Sequence, residues 1–227
     1  MRYPENEFGR SHTPLKGDFM QDLNRAFETP WKILNELLRW ATYPRVRLKF
    51  ALNGIEWRQG WRFYGMPIIQ KHRHSWMSFG SGLRLRSSIR SNPLAPYHPV
   101  ILSTRNKTSR LEVGVNFSMT GGTICTAETI TVGNNVNVGS NSTLIDTDFH
   151  PLDPKVRHLS PQDGLSAPIN ICDDVFIGMN CVVLKGVTIG QGSVIGTGSV
   201  VASDVPPHVI AAGNPARLVR ELPPRES

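Results

Sequence analysis

The chain has 227 residues, 17 prolines, 20 glycines and a formal net charge of +7. That length suits one large domain, or a domain with an appendage, and no apolar run of about 18 residues is present to serve as a membrane-spanning helix. The three cysteines (Cys125, Cys172, Cys181) form no CxxC pair or disulfide framework, and MRYPENEFGR lacks the basic-then-apolar pattern of a secretory signal, so a reducing cytoplasm is expected.

The charge is uneven along the chain. Residues 1–110 carry 19 Lys+Arg against 7 Asp+Glu, whereas residues 111–227 carry 6 against 11. Residues 1–30 are polar and irregular, and read either as an arm or as a segment that packs on a partner subunit. Trp31 to Thr42 reads as a short amphipathic helix with Ile33, Leu34, Leu37, Leu38 and Ala41 on one face. Pro30 suits its start and Pro44 its end. Arg45 to Phe50 alternates like a strand with one wet face. Phe63 to Pro67 reads as an extended lead-in. This divides the chain into an extension, residues 1–67, and a repeat domain, residues 68–227.

From Ile68 degenerate repeats are expected, with Leu83, Leu85, Ile89, Val100, Ile101 and Leu102 as inward candidates. Ser87 to Pro99 leaves them as a loop. Val113, Met119 and Cys125 restore a spacing of six, an extra residue falls within Thr126 to Thr131, and Val132, Val138 and Leu144 resume the count. Thr147 to Pro168 has no period and four prolines, and is read as a long loop between coils. The period is clearest from Ile169 to Val205. Every sixth residue from Ile171 is β-branched: Ile171, Ile177, Val183, Ile189, Ile195, Val201. Neither a helix nor a lone strand repeats at six. Six-residue units of short strand plus turn do, three to a coil, with glycine at the corners. Pro206 and Pro207 stop the repeat, and a last strand, a turn and a basic tail follow.

This pattern resembles the hexapeptide-repeat acyltransferases, and in particular their sugar and exopolysaccharide O-acetyltransferase branch. The resemblance implies an all-β fold, a left-handed parallel β-helix, with an N-terminal helical or irregular extension and a long loop near residues 147–168. It also implies a homotrimer with active sites between subunits. His150 lies in Asp146-Thr147-Asp148-Phe149-His150-Pro151, where the loop leaves the coils. The family's His-Pro at this point supplies its catalytic base, so His150 takes that role by resemblance. A neutral imidazole removes the proton that makes a sugar hydroxyl a poor nucleophile. Asp146 and Asp148 either orient His150, contact the acceptor, or make turns. Asn116 and Glu128 are the acceptor-binding candidates on earlier coils. Phe176, Gly178, Met179, Gly196, Thr197 and Gly198 match the groove that holds the pantetheine arm of acetyl-CoA, and Arg217 and Arg220 match the terminal motif, where they either meet coenzyme phosphates or form an exposed basic tail. Ala202-Ser203-Asp204 departs from the family's Thr-Lys-Asp, so one phosphate contact is either missing or supplied from elsewhere.

The reading is therefore acetyl-CoA-dependent O-acetylation of a saccharide, by direct transfer and without a metal. The alternatives are N-acetylation of a nucleotide-linked amino sugar and a non-catalytic β-helix scaffold. A zinc site of the γ-carbonic-anhydrase type needs three histidines on neighbouring coils, which His72, His74, His150 and His158 do not supply. No nucleic-acid-binding module is recognised, so no nucleic acid partner is expected. The five tryptophans Trp31, Trp40, Trp57, Trp61 and Trp76 sit in the basic part. They either touch the cytoplasmic face of an anionic membrane or pack an N-terminal cap and the subunit interface.

Overall fold

The computed structural model describes residues 28–160 and 164–223; the expectation for residues 1–27 lies outside that range. Among the described residues the strands form three sheets, of eight, six and five strands. The chain visits the sheets in rotation, so each strand pairs in parallel with the one a full coil later. Asn170–Ile171 runs beside Thr188–Ile189, Phe176–Ile177 beside Val194–Ile195, and Val182–Val183 beside Val200–Val201. This is a three-sided parallel β-helix whose aliphatics point inward. Ile171, Ile177, Val183, Ile189, Ile195 and Val201 are all buried, and Cys181 and Ser193 fill the spaces between them. Each buried Val or Ile contributes about 1.5–3 kcal/mol of transfer free energy.

The corners explain the asparagines. Asn116, Asn135 and Asp174 stand one above another between the five- and eight-stranded sheets, with φ of 57°, 57° and 60°. Asn and Asp tolerate this left-handed conformation better than other side chains. The Asn116 amide donates to Asn135 Oδ1 (2.9 Å), and the Asn135 amide donates to Asp174 Oδ1 (3.0 Å). The three form a ladder up one edge.

Two insertions leave the coils without disturbing them. Arg84–Arg86 pairs with Ser118–Thr120 across the loop 87–99, and Thr143–Leu144 pairs with Val182–Val183 across the loop 147–168. The chain ends in an antiparallel hairpin, Val209–Gly213 with Ala216–Glu221, on the eight-stranded sheet.

Several expectations need correction. The helix, α1, runs Pro30–Leu52 and contains Pro44, so Arg45 to Phe50 is helical and not a strand. Val46 and Phe50 lie four apart and are its fully buried residues, and that spacing imitates alternation over so short a stretch. Phe50 sits on the first coil, 5.1–6.2 Å from the rings of Trp57, Trp61, Phe63 and Phe79. This packing outweighs the one hydrogen bond that Pro44 removes. The apolar face of Ile33, Leu34, Leu37, Leu38 and Ala41 is exposed. The coils begin at Arg62–Tyr64, which pairs with Arg84–Arg86, ahead of the boundary at residue 68. Leu83, Leu85, Val100 and Leu102 are buried as expected, but Ile89 is exposed on a turn of the inserted loop and Ile101 is only partly buried. The inward residue of its coil is Ile124, not Cys125, because Ile124 pairs with Leu144. The positive-φ pair Gly121–Gly122 makes a tighter corner and advances the register by one. The tryptophans divide: Trp61 is buried in the cap and Trp57 packs against it, whereas Trp31, Trp40 and Trp76 are exposed.

Candidate active site

The long loop leaves the coils where the six-stranded sheet turns toward the five-stranded one. Its root is closed by backbone pairing. Thr147 and Ser166 form an antiparallel bridge, and the Asp148 amide donates to Leu165 O (2.9 Å). Beyond this point Phe149 takes a φ of 64°, and the His150 amide folds back onto Asp148 O (2.7 Å). The Phe149 ring lies under the Arg105 guanidinium, 4.2 Å from ring centre to Cζ. His150 is exposed and the next residue, Pro151, is buried. Arg157 ties the loop tip together through Pro151 O (3.0 Å) and Leu152 O (2.7 Å). His150 therefore projects from a turn braced on both sides.

The two aspartates before it do different work. Asp146 is fully buried, and its carboxylate accepts the amides of Ala127 (2.6 Å) and Glu128 (2.9 Å). Both oxygens are spent on the preceding coil, so the acceptor-binding role expected of Asp146 does not fit this geometry; turn chemistry does. Burial holds its carboxyl above the usual range, while the amides of Ala127, Glu128 and Thr129 pull it back. Asp148 is partly exposed, and its Oδ1 accepts from Lys185 Nζ at 2.8 Å. Its Oδ2 is buried without a partner. Glu128 is exposed at the same corner as His150. Asn116 stands at another corner and uses its amide in the asparagine ladder, which argues against the acceptor contact expected of it.

The residues matched to the coenzyme groove form one group, at the corner between the eight- and six-stranded sheets. The Gly178 amide donates to Ile195 O and the Gly198 amide to Met179 O, both at 2.8 Å, which stacks the two coils. A Cβ on Gly178 would stand 2.7 Å from Thr197 N, so the coils approach closely enough to require glycine. Beneath the surface Ser142 donates to Gly178 O (2.8 Å) and Cys181 to Gly196 O (3.2 Å). Phe176, Thr197 and Gly198 are exposed there, and so are Arg217 and Arg220 on the final strand. Phe176 also edges a cleft of about 340 Å³ on the eight-stranded sheet, which Arg84, Arg86, Ser118, Thr120 and Asn137 help to line.

Within one chain these groups do not meet. His150, Asp148 and Glu128 lie along one edge of the six-stranded sheet, and the coenzyme-matched residues along the other. Two features of the site were not foreseen. Lys185 sits a coil away from Asp148, with only a Lys-Gly corner as its signal. Gly164 packs against the turn itself, and a Cβ there would lie 2.5 Å from Phe149 C and 2.6 Å from His150 N. Burial raises the thiol pKa of Cys125 and of Cys181, which keeps both protonated and poor nucleophiles. Among the described residues no group of three His, Cys, Asp or Glu side chains is placed to hold a metal ion.

The three-sided coil and its period of six define the class of a hexapeptide-repeat β-helix. Residues 168–203 match the bacterial transferase hexapeptide model of six repeats. Galactoside O-acetyltransferase of Escherichia coli is 42% identical over 119 residues, 52% of this chain and 57% of that protein. A Schizosaccharomyces pombe protein provisionally named an acetyltransferase is 54% identical over 93 residues, 41% of this chain and 44% of its own. The chain thus spans about half the length of these relatives. AntD, an N-acyltransferase of Bacillus cereus crystallised as a mutant with a dTDP-amino sugar and coenzyme A, shares the fold with a TM-score of 0.60 at 17% identity, over 78% of this chain and 88% of that one.

Proposed function

We propose that the protein is an acetyl-CoA-dependent O-acetyltransferase that acts on a saccharide hydroxyl, with His150 as general base. The observation that carries this reading is the exposed His150 on its braced turn, in a chain that is 42% identical to galactoside O-acetyltransferase over 119 residues. The imidazole accepts the proton as the hydroxyl oxygen attacks the thioester carbonyl. The C–S bond then breaks, and the same proton is returned to the departing thiolate. Asp148, anchored by Lys185, fixes the backbone on which His150 folds back, and Glu128 faces the acceptor. Phe176, Gly178, Met179, Gly196, Thr197 and Gly198 border the pantetheine arm, with Arg217 and Arg220 placed for phosphates by charge-assisted hydrogen bonds. Cys125 and Cys181 are buried, and we read transfer as direct, with no acyl-cysteine.

We read the coil as left-handed, as in the family, and the enzyme as a cytoplasmic homotrimer. The separation of the two half-sites across the six-stranded sheet supports this assembly. A three-fold arrangement sets the His150 edge of one subunit against the coenzyme edge of the next, and neither edge is complete alone.

The test is thiol release from acetyl-CoA with free, nucleotide-linked and lipid-linked sugars. His150→Ala should lower kcat by about 10²–10⁴ and leave acetyl-CoA binding intact. Equal turnover in both proteins overturns the assignment. Activity that survives only with amino-sugar acceptors points to N-acylation, since a neutral amine needs less help to lose its proton, and acetyl-CoA binding without transfer or hydrolysis points to a scaffold.

A further inference from the structure

The helix α1 is inside out by the usual rule. Its inward side buries two residues fully, Val46 and Phe50. Its outward side is apolar along its length, with Trp40, Leu37 and Leu52 exposed by 63%, 62% and 77% and with Leu34, Leu38 and Leu48 also exposed. At 3.6 residues per turn these six side chains share roughly half of the circumference, along a helix about 34 Å long. A helix of this kind facing water would carry polar residues there.

The charges around this face have one sign. The helix holds five basic residues and one acidic residue. Arg45 lies within the outward arc, and Arg47 and Lys49 lie at its two borders. The single acid, Glu36, is turned to the other side and held by Arg39 at 2.6 Å and by the Tyr64 hydroxyl at 2.6 Å. The inserted loop extends the apolar surface. Asn35 ties the helix to it through Arg90 O (3.0 Å), Ile89 is exposed beside Trp31, and Leu94 is exposed on the same loop. Because Phe50 is locked into the aromatic cap, the helix cannot roll to hide this face without unpacking that cluster.

We propose that the outward face of Pro30–Leu52 docks on an anionic lipid surface, with the helix lying in the plane of the membrane. Leucine and tryptophan side chains enter the headgroup–acyl boundary, and Arg45, Arg47 and Lys49 meet lipid phosphates at the rim. A two-fold pairing of two copies through this same face fits less well, since it would bring the same cations against one another with no acid on the face to answer them.

The experiment is co-sedimentation of the full-length protein with vesicles, and it uses no activity readout. One vesicle set is phosphatidylcholine with equimolar phosphatidylglycerol, and the other is phosphatidylcholine alone. Wild type should sediment with the anionic set and release as salt rises toward about 0.15 M. Leu37→Glu with Trp40→Glu, and separately Arg45→Glu with Lys49→Glu, should each lower partitioning by about tenfold or more with an unchanged circular dichroism spectrum. Failure of wild type to bind anionic vesicles overturns the proposal, as does binding of both variants at the wild-type level. Light scattering that shows a smaller assembly for Leu37→Glu with Trp40→Glu than for wild type overturns it too, and assigns the face to a second copy.

Discussion

Asp148 and Lys185 are joined by a 2.8 Å ion pair that fastens the root of the long loop to the coil beyond it. The pair is only partly exposed, and the second oxygen of Asp148 is buried without a partner. Replacing Lys185 by Met therefore strands a carboxylate. The expected loss is about 1–3 kcal/mol in unfolding free energy, together with a lower kcat at unchanged coenzyme KM because the His150 turn loosens. Lys185→Arg should restore most of both. Urea unfolding and steady-state kinetics on the same preparations check this.

Gly164 controls the same turn from the other limb of the loop. A methyl group there meets Phe149 C at 2.5 Å and His150 N at 2.6 Å, both of them backbone. Gly164→Ala must push the His150 turn outward. Misplacement of a catalytic group by about 1 Å costs on the order of 10²-fold, so kcat should fall by about 10–10²-fold. The thermal midpoint should move little, since the loop root is paired elsewhere. An unchanged kcat would show that His150 is not held by this contact.

Asp146 gives a pH-dependent prediction. Burial raises its carboxyl pKa in the folded protein. The folded state then holds the Asp146 proton more tightly than the unfolded chain does, so the contribution of this residue to stability falls as the pH rises from about 3.9 through the raised value. Asp146→Asn removes that slope. Wild type minus variant, measured by urea unfolding across an acid-to-neutral series, should decrease with rising pH; an increase would contradict the assignment.

The asparagine ladder offers a stability test remote from the site. Asn135 has φ 57° and bonds to both neighbours. Asn135→Gly keeps the backbone conformation and loses the ladder, whereas Asn135→Ala loses both. The left-handed conformation costs a non-glycine residue about 1–2 kcal/mol, so the alanine variant should be the less stable by about that amount in chemical denaturation.

The legible parts of the sequence were those where one local rule acts alone. From Ile169 to Val205 each unit has six residues and each aliphatic faces inward, so period and burial agree. Upstream the rules compete. Val46 and Phe50 satisfy a strand pattern and a helix pattern at once, and only the aromatic cap formed by Trp57, Trp61, Phe63 and Phe79 decides between them. Cys125 follows the count of six, but a double-glycine corner hands the inward place to Ile124. The His-Pro that marks the candidate base is a local signal. The division of labour between Asp146 and Asp148 is not, because it depends on amides of the previous coil and an ammonium of the next.

The two ends of the coil are closed by unlike devices, the Phe50 cap on the first turn and the antiparallel strand Ala216–Glu221 beside the last. A stack of parallel strands is by nature a template that recruits more of its kind. A reversed strand offers an incoming copy the wrong pairing pattern, and a helix offers it none. The eight-stranded sheet is thereby kept from recruiting a further parallel strand at its last edge, Ala216–Glu221.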